Sequence, residues 1–190
     1  KFYKNPINTD EITLINNHIK FNSNITDETI TKLLEYINDI MNSSINNIYL
    51  HINCKGGTIN SLLYFIHIKH VKLNSIEIIS IIEDNCINAG ILLAGLCDYR
   101  FIKKNVKCYM SKFNCNSNNR YWGAFDQTIK VNPDSYITNN QYISPETNLE
   151  YIMQNIKIKV NNDKLRIYFS QNNEWNSKKM LKIGFVDEIV

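Results

Sequence analysis

The chain has 190 residues, a length that suits one domain, and 44% of them are apolar, enough for a substantial core. No apolar run reaches the ~18 residues that a membrane span requires. The net charge of +3 is spread along the chain without a basic cluster. Neither a membrane nor a nucleic-acid partner is therefore expected.

The cysteines and histidines do not form a recognisable ligand pattern. The five cysteines contain no C-x-x-C pair, and the four histidines lack zinc-ligand spacing relative to them. We therefore expect reduced thiols, no metal site and no other cofactor.

The first half of the sequence alternates strand and helix patterns. Residues 18–21 alternate and predict a strand, and Thr26 is a typical cap for the amphipathic helix that follows to Met41. Residues 47–53 alternate again and predict a second strand. A turn at Gly56-Gly57 then leads into a second amphipathic helix that ends near His70.

The same alternation continues beyond this helix. Residues 76–83 form a nearly continuous apolar strand, 88–97 a short apolar helix, and 100–102 and 107–111 two more strands. Strand and helix in alternation predict crossover units, which produce a largely parallel sheet with right-handed connections.

The region after residue 111 has a different composition. Residues 112–143 are polar and without periodicity, as in a long functional or mobile loop. Ser144 and Pro145 predict a helix start, and Leu165 lies in a further predicted helix. Asn176 or Ser177 caps a last helix, and residues 185–190 predict a closing strand. No linker divides the chain, so one domain over residues 1–190 is predicted.

Three motifs carry a resemblance to a known family. The first is the strand and glycine turn IYLHINCKGG, the second is the apolar helix segment ILLAG, and the third is the closing segment KIGFVDEIV. Together they resemble the ClpP family of ring-forming serine peptidases. The resemblance implies an α/β fold, a ClpP/crotonase-like spiral of β-β-α crossover units with a protruding handle helix, and a handle region at about residues 112–163.

The positions that match the family's catalytic triad hold no catalytic groups. The nucleophile of the family lies in a G-x-x-S-M-[GA] turn, and anchoring on ILLAG places its serine at Ile87. The family's histidine, in M-I-H-Q-P, falls on Ser111. The aspartate falls near Tyr168, with Ser170 within counting error. The resemblance therefore implies a chain without a working triad, because each triad member needs the others.

The glycine turn has its own implied role. In the family, Gly56-Gly57 would line the peptide groove, and the amides of Gly57 and Asn88 would hold the oxyanion. The alternative is that the glycine pair only makes a tight turn.

Relatives that lack the triad resemble the ClpR subunits of plastids and cyanobacteria. The resemblance implies a non-catalytic subunit, in a homo-oligomer or in a mixed heptameric ring with active ClpP subunits, that serves an AAA+ Clp unfoldase. It also implies a plastid-type organelle, either an apicoplast or a chloroplast stroma. Because the chain begins at Lys1 without Met, a leader segment absent from it is expected.

Two other functions remain open from the sequence. An active peptidase could use a displaced nucleophile, either Cys86 or a Ser111 paired with Lys112. An enoyl-CoA hydratase-type (crotonase) enzyme that binds acyl-CoA would share the crossover spiral.

Overall fold

A computed structural model describes residues 11–43, 45–111, 145–156, 158, 162–169 and 171–190. Its elements in chain order are β1 (Glu11–Ile15), β2 (His18–Asn22), α1 (Asp27–Asn42), β3 (Asn47–Ile52), α2 (Ile59–Lys72), β4 (Glu77–Ile82), α3 (Ala89–Gly95), β5 (Tyr99–Ile102), β6 (Lys107–Met110), α4 (Pro145–Gln154), α5 (Asn162–Phe169), β7 (Asn173–Asn176), α6 (Ser177–Lys182) and β8 (Glu188–Ile189).

Six strands form the main sheet in the order β1-β2-β3-β4-β5-β8. The pair β1–β2 is antiparallel, and every later pair in this sheet is parallel. The strands β6 and β7 form a separate antiparallel pair. The prediction of an α/β fold with a largely parallel sheet is confirmed.

Helix α1 shows how local sequence sets an element's start. The Thr26 side chain accepts a hydrogen bond from the Thr29 amide, and the Thr29 side chain accepts one from the Thr26 amide. This capping box satisfies amides that the helix leaves unpaired. The apolar face of α1 follows this start, and its residues Ile30, Leu33 and Ile37 are buried in the hydrophobic core.

The core lies on the face of the sheet where alternate strand residues are fully buried. In β3 these are Ile48, Leu50 and Ile52, whereas Asn47, Tyr49 and His51 are only partly covered. Helices α1 and α2 contact each other, and α3 contacts both α2 and β4. The alternation of buried and partly covered residues in β3 is the two-residue period of a strand with one covered face.

Helix α4 corresponds to the predicted handle helix and begins at Pro145. Its residues Leu149, Ile152 and Met153 are buried, and the Asn148 side chain donates to Asn60 of α2 at 3.0 Å. Residues 112–144, including the predicted Ser144 cap and most of the predicted handle region, lie outside the described residues. The single-domain prediction for residues 1–190 stays a prediction.

Two strands were not predicted, and the closing strand is shorter than expected. Strand β1 comes before the predicted elements, and β7 occupies the four residues before α6. The closing strand is only Glu188–Ile189, because Phe185 and Val186 are fully buried and their amides bond to the Met180 carbonyl, at 2.9 Å and 3.4 Å. Their hydrophobicity thus reflects a buried turn rather than a strand.

The glycine turn after β3 packs directly against the segment before α1. Gly57 pairs with Ile25 in a parallel bridge, flanked by bonds from the Ile25 amide to Gly56 and from the Thr58 amide to Ile25, both 2.8 Å. A Cβ on Gly57 would lie 2.1 Å from the Ile25 carbonyl oxygen, and its φ is +136°. Only glycine fits there, since both the space and the backbone angle exclude a side chain.

The Gly57→Ala variant should therefore be strongly destabilised, by more than about 1 kcal/mol, because the Cβ meets backbone atoms that cannot move independently. Urea unfolding of the variant and the unchanged chain measures this. The matched control is Gly95→Ala, where a Cβ would meet only side-chain tips of Phe185 and Ile156. A smaller loss for Gly57→Ala than for Gly95→Ala would contradict the argument.

Candidate functional site

The candidate site lies where the glycine turn after β3, the start of α3 and the end of β6 meet. The Ile87 amide donates to the Cys54 carbonyl at 2.9 Å, which ties the start of α3 to the segment that leads into the glycine turn. Gly90 is needed at this contact, since a Cβ there would lie 2.7 Å from the Cβ of Cys54. Gly57 and Gly90 thus allow the segment before α1, the glycine turn and the start of α3 to pack closely together.

Asn88 occupies a strained turn between β4 and α3. Its backbone has φ +46° and ψ −108°, and it is the N-cap residue of α3. Positive φ is uncommon outside glycine and several-fold enriched at asparagine. Such a conformation costs on the order of 1–3 kcal/mol and needs surrounding structure to hold it.

Backbone hydrogen bonds to β6 hold this turn. The Asn88 amide donates to the Tyr109 carbonyl at 3.0 Å, and the Tyr109 amide donates to the Cys86 carbonyl at 2.9 Å. Ile87 pairs with Tyr109 in a parallel bridge between these bonds. The strained residue is therefore fixed from both sides.

The side chain of Asn88 forms a hydrogen-bonded pair with Ser111. Asn88 Oδ1 accepts from the Ser111 amide at 2.8 Å and from Ser111 Oγ at 3.1 Å. Asn88 Nδ2 donates to Ser111 Oγ at 2.8 Å. Asn88 is almost fully buried and Ser111 partly buried. Both groups are neutral, so the pair contains neither a base nor an ionised nucleophile.

The sequence placed the nucleophile position at Ile87, and the structure places Ile87 one residue before the strained turn. Its side chain is partly exposed, and its described hydrogen bonds are made by the backbone. The assignment of Ile87 to the serine position depends on an alignment and stays a prediction. No signal in the sequence sets Asn88 apart from Ile87, because the strained backbone is visible only in the structure.

The predicted oxyanion donors differ in their hydrogen bonding. The Gly57 N–H makes no hydrogen bond with any described residue, because the bridge to Ile25 uses the carbonyl of Gly56 and the amide of Thr58. The Asn88 N–H, in contrast, is occupied by Tyr109, which leaves it unable to hold an oxyanion in this conformation. Within the described part of the chain, the next amide, that of Ala89, has no acceptor either.

Tyr168, which the sequence placed near the acid position, lies on α5. Its ring packs edge-on against Trp175, with centroids 5.7 Å apart, and its carbonyl accepts from the Asn173 side chain at 3.0 Å. These contacts place Tyr168 at the edge of the hydrophobic core. Its side chain has no carboxylate that could act as the acid of a triad. The alternative position Ser170 lies outside the described residues.

The β6–β7 hairpin brings another residue toward Ser111. Met110 pairs with Asn173 and Cys108 with Trp175, in antiparallel register. Continuing this register by one residue on each strand places Asn172 opposite Ser111. Sequence reasoning missed this position because it did not predict β7.

Cys86 does not have the surroundings of a displaced nucleophile. Its side chain is fully buried, and burial, followed by nearby Cys108 and Cys54, raises its pKa well above the ordinary value. Burial likewise raises the pKa of Cys108 to about 12. The reactive form of a cysteine is the thiolate, so this thiol is protonated at physiological pH.

The histidines lie away from this site. His18 and His51 are in β2 and β3, and His67 and His70 are in α2. Over the described ranges, no group of three or more histidine, cysteine or acidic side chains could hold a metal ion. No described helix is both long enough and apolar enough to cross a bilayer.

Comparison with known proteins rests on structure rather than sequence. No protein-family model matches the chain, and no curated protein sequence matches it either. A solved structure titled as a peptidase from Plasmodium falciparum is 13% identical, with a TM-score of 0.68, over 92% of this chain and 95% of that one. The ClpP protease catalytic domain from Plasmodium falciparum is 14% identical, with a TM-score of 0.70, over 92% of this chain and 84% of that one. At such identities the likeness shows the fold, which is that of a ClpP protease domain.

The Asn88–Ser111 pair should contribute measurably to stability. Asn88→Ala removes its side-chain hydrogen bonds and keeps a Cβ on the same strained backbone, so it should cost about 1–3 kcal/mol by removing the acceptor of the partly buried Ser111 amide. Ser111→Ala keeps that amide bond and should cost only about 0.5–1.5 kcal/mol. Urea unfolding of both single variants and the double variant should give a coupling above about 0.5 kcal/mol.

Asn46→Ala is the control and should change stability little, because the Asn46 side chain is exposed and makes no hydrogen bond with a described residue. Additive losses at positions 88 and 111 would mean that the pair does not act as a unit.

Proposed function

We propose that this chain is a non-catalytic, ClpR-type subunit of a Clp protease complex, whose role is assembly rather than peptide-bond cleavage. The observation that supports the proposal most directly is the Asn88–Ser111 pair. It fills the place where the fold would bring a serine and a histidine together. An amide and a hydroxyl cannot generate a nucleophile, because neither side chain accepts a proton at physiological pH.

We infer that Asn88, rather than Ile87, stands at the family's nucleophile position. Asn88-Ala89-Gly90 fits the S-M-[GA] motif as well as Ile87-Asn88-Ala89 does. The nucleophile of related hydrolase sites sits on a strained strand-to-helix turn, and the strained residue here is Asn88. Its side chain also reaches Ser111, the position that matches the histidine.

With Asn88 at the nucleophile position, the acid position and the oxyanion donors can also be assigned. Asn172, opposite Ser111 by continuation of the β6–β7 ladder, would stand where the acid belongs and carries no charge. The oxyanion donors would then be the amides of Gly57 and Ala89, neither of which bonds to a described residue. The proposed pseudo-site thus keeps two amides that have no acceptor among the described residues, and it lacks the nucleophile, the base and the acid of a triad. Without a triad, the rate of such an enzyme falls by ~10⁴–10⁶-fold.

Association into a ring is the part of the proposal that concerns partners. Several large apolar side chains are exposed on the single chain, among them Tyr64 and Val71 on α2, Tyr151 on α4 and Ile167 on α5. Burial of such side chains between neighbouring subunits would favour a closed ring. We propose a homo-oligomer or a mixed heptameric ring with active ClpP subunits, which an AAA+ unfoldase would engage.

The compartment is proposed from the ClpR resemblance alone. ClpR-type subunits occur in plastids and cyanobacteria, and the proposal places this protein in a plastid-type organelle. Imaging the full-length tagged protein against a plastid marker tests this, and a cytosolic signal would contradict it.

Sedimentation should show a ring. The purified chain, alone or co-expressed with an active ClpP subunit, should sediment as a particle of about seven subunits, because a closed ring buries the exposed apolar side chains. Native mass measurement gives the stoichiometry of the mixed particle. A monomer under both conditions at micromolar concentration would refute the assembly role.

Rebuilding the triad tests the pseudo-site directly. The unchanged chain should not hydrolyse a short fluorogenic peptide or react with a fluorophosphonate probe. The triple variant Asn88→Ser, Ser111→His, Asn172→Asp should gain covalent labelling at position 88, because it supplies a hydroxyl, a base and an acid beside the retained amides. Mass spectrometry locates the label.

The matched control moves only the nucleophile: Ile87→Ser, Ser111→His, Asn172→Asp should stay unlabelled. Labelling of the control, but not of the Asn88→Ser triple variant, would show that Ile87 stands at the nucleophile position. Peptide turnover by the unchanged chain that is lost in Cys86→Ala would overturn the non-catalytic role.

A further inference from the structure

Four polar side chains form a continuous hydrogen-bonded chain across the partly covered face of the main sheet. His18 Nδ1 lies 2.8 Å from His51 Nε2, and His51 Nδ1 lies 2.9 Å from Glu83 Oε1. Lys103 Nζ lies 2.8 Å from the same Glu83 oxygen. The residues come from β2, β3 and the ends of β4 and β5, so the chain crosses four adjacent strands.

The two imidazoles are held in place by their neighbours. His18 stacks on Tyr49, with centroids 4.7 Å apart and planes at 13°. The His51 side chain is only 16% exposed and that of Glu83 28%. Lys20, the register partner of His51, is the other charged residue along this stretch of β2. The network is therefore an ordered arrangement at the surface.

Hydrogen-bonding rules fix where the protons lie. Burial raises the pKa of Glu83, but the hydrogen bonds and charges of Lys103 and His51 lower it by more, so the pKa lies below its usual value. Glu83 is then a carboxylate at neutral pH and only accepts hydrogen bonds. His51 must therefore carry a hydrogen on Nδ1, and when it is neutral its Nε2 is an acceptor. His18 donates to that acceptor through Nδ1–H.

We propose that His18, His51, Glu83 and Lys103 form a proton relay that holds one additional proton with its bonds intact and comes apart when it takes a second. One extra proton on either ring still leaves a single hydrogen between the two facing nitrogens. Two protons place a hydrogen on both, so the nitrogens repel at 2.8 Å and both rings are positively charged.

The consequence is a pH-sensitive contact between β2 and β3. Acidification to double protonation would drive the His18 ring off His51 and Tyr49 while the strand ladder remains paired. Glu83 is the only carboxylate among the four residues of the relay and already pairs with Lys103, so it offsets little of the added charge. The β1–β2 ribbon would thereby lose one of its side-chain ties to the sheet.

Nitrogen NMR of the full chain labelled with 15N-histidine tests the proposal. Above neutral pH, both His18 and His51 should show hydrogen on Nδ1. On acidification, the nitrogen–nitrogen coupling across the hydrogen between His18 Nδ1 and His51 Nε2 should persist at first and disappear when both rings carry hydrogen on both nitrogens. Exposed His70 on α2 serves as the internal reference for an imidazole outside the relay.

His18→Phe is the matched variant, since phenylalanine keeps an aromatic ring against Tyr49 and removes the hydrogen bond. In it, His51 should keep hydrogen on Nδ1, because its bond to Glu83 remains, and should lose the nitrogen–nitrogen coupling. Absence of that coupling in the unchanged chain above neutral pH, or hydrogen on Nε2 of His51 there, would overturn the proposal even if the variant does not fold.

Discussion

The turn at Asn88 is the constraint on which the candidate site depends. A positive φ of 46° at a residue with a side chain persists only because neighbouring segments hold it. The Cys54 carbonyl fixes Ile87, the Tyr109 carbonyl fixes Asn88, and the Asn88 side chain closes the arrangement on Ser111. The glycine turn, α3 and β6 are thus joined at one residue, and their relative positions follow from it.

Under the proposed function, this arrangement would keep the backbone of a hydrolase site without its reactive side chains. Positioning in such a site comes from the backbone, through a strained turn and convergent amides, whereas reactivity comes from side chains. Substituting side chains can therefore remove activity and leave the fold unchanged. The Asn88 side chain makes neutral hydrogen bonds to Ser111 at this turn, which agrees with the proposed assembly role.

The relay from His18 to Lys103 is made of titratable side chains, whereas the Asn88–Ser111 contact at the turn is not. The two places differ in their electrostatics. The Asn88–Ser111 pair is neutral and buried, so its stability contribution should not depend on pH. The relay is partly exposed and couples two imidazoles to a carboxylate, which makes its bonding depend on the number of protons bound.

The sequence by itself determined the order and type of most elements. Periodicity located α1, α2 and β2 to β6, and the Thr26 and Asn176 caps fixed two helix starts, because these signals arise within a few residues of the chain. The motifs around Gly56-Gly57 and ILLAG also predicted the fold, since glycine is needed wherever backbone segments pack this closely.

Tertiary structure decided what depends on contacts between distant segments. Strand β7 has little periodicity of its own and is defined by pairing with β6, so Asn172 could not be placed beside Ser111 beforehand. Phe185 and Val186 look like strand residues and instead fill the core beside α6. The proposal of Asn88 rather than Ile87 for the nucleophile position also rests on coordinates, because both fit the motif and the backbone angle and the contact with Ser111 favour Asn88.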